Sequence, residues 1–203
     1  MKTLSEIDTT SKRAARGAGF SWGIAEEVGK NMRLLELYGL PGIKNLNKFL
    51  KDYNKKQFQK VTLISEINNP NKKPYCPIAL GTNFMDQVNL FDKKINIQIS
   101  NVAYPILFLP FVSRASEIIG KKIFLKVDQK EFLLNLNQSI YSNYLKNEVL
   151  EFCNIIDISF IENNNSFNEN EWKELYKLSE ETFVEETDSL KIGAAGAGLT
   201  DND

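Results

Sequence analysis

Hydrophobic periodicity changes once along this chain of 203 residues, and that change decides the fold class. Up to about residue 52, apolar residues recur at helical spacing. Ile24, Val28, Leu35 and Tyr38 form one such series, and Ile43, Leu46, Phe49 and Leu50 form the next. From about residue 75 to 161 the period is that of strands. Ile95, Ile97 and Ile99 alternate with polar residues, and Ile155–Ile161 does the same. Helices and strands are therefore segregated, which favours α+β over a doubly wound parallel sheet. The expectation is N-terminal helices packed on a mostly antiparallel sheet, then one C-terminal helix and a Gly/Ala-rich tail. We expect one domain over residues 1–203, with a helical part at 1–52, a sheet part at 75–161 and the helix and tail at 168–203.

Local signals set the expected boundaries. Ser5 with Asp8 reads as a capping box for a helix to about Ala15, stopped by Gly17 and Gly19. Ser21 is an N-cap for a second helix reaching Tyr38, and Pro41 opens a third. Along the second helix, Ala25, Gly29 and Met32 make a shallow strip where another element can pack closely. Residues 52–74 read as a connection or short helix, with an apolar island at Val61–Ile67. The run Ile106–Leu109 is continuously apolar and reads as an interior strand, followed by a short helix at Ser113–Ile119. Lys122–Val127 and Glu131–Leu136 read as a hairpin around Asp128–Lys130. Ser139–Phe152 is open between helix and strand. Trp172, Leu175, Tyr176, Leu178 and Phe183 mark an amphipathic helix.

Composition narrows the chemistry. The chain contains no histidine, which excludes Ser-His and Cys-His nucleophile pairs and imidazole-ligated metal sites. Its two cysteines, Cys76 and Cys153, lie in unrelated contexts and read as reduced, buried thiols. The net charge of −1 and pI near 5.7 give no global field for nucleic acid or anionic lipid, so neither is expected as a partner. Charges throughout the first twenty residues interrupt any signal-peptide core, and the longest apolar run, Tyr104–Val112, is broken by Pro105 and Pro110. A cytoplasmic protein is expected. No cofactor is indicated, and no metal site is assigned.

Two small-residue segments carry what chemistry the sequence suggests. The first is Arg16–Glu27 (RGAGFSWGIAEE). Gly17 and Gly19 before a helix start can let amides hold an anion, with Arg16 adding charge and Ser21 and Trp22 adding contacts. The bland alternative is a helix-to-helix joint in which the glycines only provide left-handed backbone. Glu26 and Glu27 are candidate acid/base carboxylates, although their place in a first helical turn already explains them. The second segment is the tail at 193–203 (GAAGAGLTDND), where Gly198, Thr200, Asp201 and Asp203 are candidate ligand contacts. These groups can meet a hard cation, a partner's basic pocket or Arg16.

The segments Arg13–Gly29 (RAARGAGFSWGIAEEVG) and Gly196–Asp203 (GAGLTDND) together resemble a bacterial family known as domain of unknown function 3726. Cys76-Pro77, Gly81 and Pro105–Phe111 fall in similar places, so the likeness runs over essentially the whole chain, while Lys122–Asn170 matches only loosely. The family carries no established activity. The resemblance implies that the tail is a recurring feature, expected to fold back toward the Gly17–Glu27 joint or to enter a partner's site. Two functions follow as expectations. One is binding of a small anionic metabolite, with or without catalysis by Glu26 or Glu27. The other is a non-catalytic accessory subunit whose acidic tail docks into a partner enzyme.

Overall fold

Thr3 has extended backbone (φ −74°, ψ 156°) and starts the first helix, α1, Leu4–Gly17. Its hydroxyl accepts the Glu6 N–H at 3.1 Å, and the Glu6 carboxylate accepts the Thr3 N–H at 2.8 Å. The capping box thus lies two residues before the expected Ser5–Asp8 pair, because the chain becomes helical earlier. The structure is a computed structural model that describes residues 2–53, 55–91, 96–144, 148–162 and 164–183. The chain divides into two compact units, residues 1–163 and 164–203.

The first unit opens with a helical hairpin. Ser21 caps α2, Trp22–Leu37, as expected. Gly29 of α2 lies so close to α1 that an added Cβ would sit 2.8 Å from the Asp8 carbonyl oxygen. The shallow strip read from Ala25, Gly29 and Met32 is therefore where α1 packs, and all three are buried. A third helix, α3, Gly42–Tyr53, places Leu46 and Phe49 in the core.

Two further helices occupy the part of the chain expected to be sheet. Pro77 opens α4, Pro77–Asp86, which the sequence reading does not contain. The expected interior strand at Ile106–Leu109 is replaced by a 3-10 turn, Pro105–Leu107, leading into α5, Leu109–Ile119. Pro105 and Pro110 lack the N–H groups that a central strand must donate, whereas proline at the start of a helix loses nothing. The segment reads as unbroken apolar because it is buried on nearly every side. Gly120 ends α5 in the left-handed region (φ 72°). Where α4 crosses α5, a Cβ on Gly81 would lie 2.5 Å from Phe111 Cε2 and closer still to Cγ and Cδ2 of the ring.

The sheet has six strands: β1 (Ile67–Asn68), β2 (Asn96–Ala103), β3 (Lys122–Val127), β4 (Lys130–Asn135), β5 (Ser139–Ser142) and β6 (Phe152–Ile161). Their order is β1-β2-β6-β3-β4-β5, and every pairing is antiparallel except β1 with β2. The expected hairpin forms at Asp128–Gln129, where Asp128 adopts φ 50° and its carboxylate accepts N–H bonds from Asn154 and Ile155 at 3.0 Å. One face carries Ile97, Ile99, Ile123, Leu125, Phe132, Leu134, Ile156 and Ile158, all buried beneath the helices. Contact with this face comes through α5, which meets β3 and β4, while α2 packs on α4 and α5. The fold is α+β.

The second unit contains α6, Glu169–Glu180, with its own capping box between Asn168 and Glu171. This is the amphipathic helix expected from Trp172, Leu175 and Tyr176, and Phe167 stacks on Trp172 at 5.5 Å. No helix among the described residues is long and apolar enough to cross a membrane.

Candidate functional site

The corner between α1 and α2 is built by three local devices. Gly19 takes a positive φ of 100°, which a side chain would strain. Arg16 reaches across the corner and donates from Nη1 to the Phe20 carbonyl at 3.0 Å, and its guanidinium lies 5.5 Å from the Trp22 ring centre. The Ser21 hydroxyl accepts the Ile24 N–H at 3.4 Å, so its own O–H proton remains available to a second acceptor.

On one side of this corner lies a cleft of about 300 Å³, lined by residues that include Gly19, Phe20, Ser21, Tyr53, Lys60, Cys76 and Asn83. A neighbouring cleft of about 360 Å³ shares Tyr53, Lys60 and Cys76. Each wall is anchored. Phe20 is buried and stacks on Tyr53 at 4.5 Å, and Phe58 lies nearly parallel to Tyr53 at 6.1 Å. The end of α3 that carries Tyr53 is pinned by the Tyr104 hydroxyl, which donates to Asp52 at 2.6 Å. Tyr104 itself holds left-handed backbone (φ 46°, ψ 54°). Burial pushes its phenol well above the usual range, and the Asp52 carboxylate adds to that shift. The hydrogen bond from Lys56, then that from Tyr104, holds Asp52 below the usual carboxylate range.

The Lys60 wall is held by backbone bonds. Cys76 N–H donates to Gln59 O at 2.9 Å, Gln59 N–H to Pro74 O at 2.9 Å, and Tyr75 N–H to Asn101 O at 2.8 Å. The fourth wall is α4, where Asn83 donates from Nδ2 to Ala79 O at 2.8 Å and Thr82 bonds back to Ile78 and Ala79.

The electrostatic sign of the cleft follows from its parts. Lys60 is exposed and makes no ion pair among the described residues. Two helices begin on the cleft wall, α2 after Ser21 and α4 after Cys76, and each presents the positive end of its dipole there. The Cys76 thiol is buried, and burial raises its pKa against the opposing pull of the Ala79 and Ile78 amides and the Lys60 charge. Cys76 is therefore a protonated wall group, not a ready nucleophile. Cys153, a residue of β6, is fully buried, and its thiol is pushed up to about 12, chiefly by that burial.

The structure divides the residues singled out in the sequence. Gly19 and Ser21 line the cleft. Arg16 and Trp22 brace the corner against each other, and Trp22 is 57% exposed. Gly17 is the last residue of α1. Glu26 is exposed and Glu27 half-buried, and neither is among the cleft-lining residues. Glu27 forms ion pairs with Arg114 of α5 and, at 2.8 Å, with Lys30. Burial works to raise the Glu27 pKa, but the hydrogen bonds from Lys30 and Arg114 outweigh it and hold the carboxyl below its ordinary value. Gly198, Thr200, Asp201 and Asp203 lie outside the described residues, as does the expected return of the tail to the corner. The sequence reading lacks Tyr53, Lys60 and Asn83. Lys60 sits in a Lys-rich stretch that reads as solvated surface, and only folding brings it to the corner.

The Glu27 pairing has a pH consequence. A carboxylate held below its unfolded value contributes stability that is present above that value, near 4.5, and is lost as pH falls through the lower folded value. Urea melts of the parent and Glu27→Gln should therefore differ at pH 7, and the gap should narrow by pH 3.

The model of the family described as Protein of unknown function (DUF3726) matches residues 2–76, and over this stretch the resemblance drawn from the sequence holds. The matched stretch includes α1, α2, α3 and the cleft wall as far as Cys76. No curated protein and no solved structure matches this chain.

Proposed function

We propose that the chain binds a small anionic metabolite in the corner cleft. One observation carries this reading: a lysine with no ion pair among the described residues and the starts of two helices converge on a cleft of about 300 Å³. Lys60 supplies the counter-charge, the Ser21 O–H donates to the anion, and the Phe20 and Tyr53 rings give an apolar side for the rest of the ligand. Arg16, Gly17 and Trp22 act by holding the corner in shape. In this reading Glu27 is a structural anion, and the chain is a binding protein first.

A thermal-shift panel tests it, with small carboxylates and phosphates compared against their neutral amides and alcohols at matched ionic strength. At least one anion should raise the Tm where its neutral counterpart and sodium chloride do not. Equal shifts from anions and neutral counterparts would refute it.

A further inference from the structure

The two clefts at the corner share one aromatic wall. Phe20 lines the first, Phe58 the second and Tyr53 both. The three rings follow in series, Phe20 to Tyr53 at 4.5 Å and Tyr53 to Phe58 at 6.1 Å. Lys60 also lines both clefts, so its ammonium serves a molecule lying in either. Ser21 belongs to the first cleft alone, and Gln57 to the second alone.

The polar groups of the second cleft come from the pairing of two chain segments. Gln59 and Tyr75 form a parallel bridge, with Gln59 N–H donating to Pro74 O and Cys76 N–H to Gln59 O, each at 2.9 Å. Carried back along both segments, that register sets Gln57 beside Lys73, and the Lys73 ammonium donates to Gln57 Oε1. Asn71 N–H donates to Gln59 Oε1 at 2.9 Å and ties the same strip together. The bond from Lys73 occupies the acceptor end of the Gln57 amide and leaves its Nε2 protons to give.

The sign of this strip is positive. From residue 55 to 73 there are five lysines and one acid, Glu66. Among the described residues Lys56 alone of the five forms an ion pair, with Asp52 at 2.6 Å. Lys73 and Lys60 are exposed and keep their charge for a ligand. The second cleft therefore offers a donor and positive charge of its own, apart from Ser21 and the start of α2.

We infer that the ligand is an elongated dicarboxylate that spans both clefts. One carboxylate meets Ser21 and Lys60 in the first, the other meets the Gln57 amide in the second, and the apolar chain between them lies along the Tyr53 ring. This rests on the corner reading above and adds the chemical class of its ligand. A dicarboxylate suits both parts of the groove, because its ends take charge-assisted hydrogen bonds and its methylenes cover apolar ring surface.

Calorimetric titration of the full chain tests this with straight-chain dicarboxylates from succinate to sebacate, each against its own monomethyl ester at matched ionic strength. Esterification removes one charge and keeps the length. A narrow range of lengths should bind best, and the best diacid should exceed its ester by more than about tenfold, the worth of one charge-assisted hydrogen bond. Gln57→Leu should cut that advantage to less than about threefold, and Lys73→Met should reduce it partway. Lys60→Met should weaken diacid and ester alike, since Lys60 borders both clefts. A diacid that gains nothing over its ester overturns the dicarboxylate and leaves an anion at the corner standing, as does an advantage undiminished by Gln57→Leu. Failure of every diacid and ester to bind overturns it too, and the phosphates of the thermal-shift panel then judge the corner reading by itself. Should circular dichroism show Gln57→Leu misfolded, Gln57→Glu, which keeps an acceptor for Lys73, replaces it and must also remove the advantage.

Discussion

Replacing Gly81 with alanine is expected to destabilise the first unit by about 3 kcal/mol, the upper range for forcing a methyl into a packed core. The reason is geometric. Gly81 is buried in α4 where that helix crosses α5, and a Cβ would collide with the ring of Phe111, itself fully buried. Helix propensity runs the other way, since alanine favours a helix over glycine by about 1 kcal/mol. Propensity alone therefore predicts a stabilised variant, and the sign of the change decides between the two effects. Urea denaturation should show the midpoint falling by roughly 1.5 M with the slope unchanged. The Phe111→Ala partner identifies the cause: Gly81→Ala with Phe111→Ala should cost less than the two single changes summed, because the new methyl enters space the ring has left.

Reversing the charge at the cleft should abolish ligand binding without touching the fold. Lys60 is exposed, so Lys60→Glu should leave stability within about 0.5 kcal/mol of the parent. Loss of one charge-assisted hydrogen bond costs about 2 kcal/mol, roughly thirtyfold in affinity. The repulsion from a new carboxylate beside the starts of α2 and α4 should take the loss beyond about a hundredfold. Lys60→Met, which keeps the stem and removes the charge, should fall between the parent and Lys60→Glu. Calorimetric titration with the anion that gives the largest thermal shift measures all three. An affinity that is the same in the three proteins places the ligand elsewhere.

Where one local pattern governs a segment, that segment was legible. The hairpin of β3 and β4 shows its alternation and its turn, and the α1–α2 corner shows its glycine and its N-cap. The strip at Ala25, Gly29 and Met32 was legible because small residues at helical spacing leave room for a neighbour, and α1 fills it. Burial on all sides hides this information. In α5 the apolar residues show no period, so the run from Ile106 reads as a strand, although Pro105 and Pro110 argue against a central one. Gly81, Thr82 and Asn83 are poor helix formers, and α4 is stabilised by packing against α5 instead. The cleft divides in the same way. Gly19 and Ser21 belong to one local motif, whereas Tyr53, Lys60 and Asn83 come from separate parts of the chain and meet only in the fold.

Native mass spectrometry of the parent and Lys60→Glu, purified side by side without denaturation, tests the central claim most directly. The parent should carry a small anionic adduct that is released on acid denaturation, and Lys60→Glu should carry none. An identical adduct on both proteins, or a neutral or cationic one on the parent, would contradict an anion held by Lys60 at the corner.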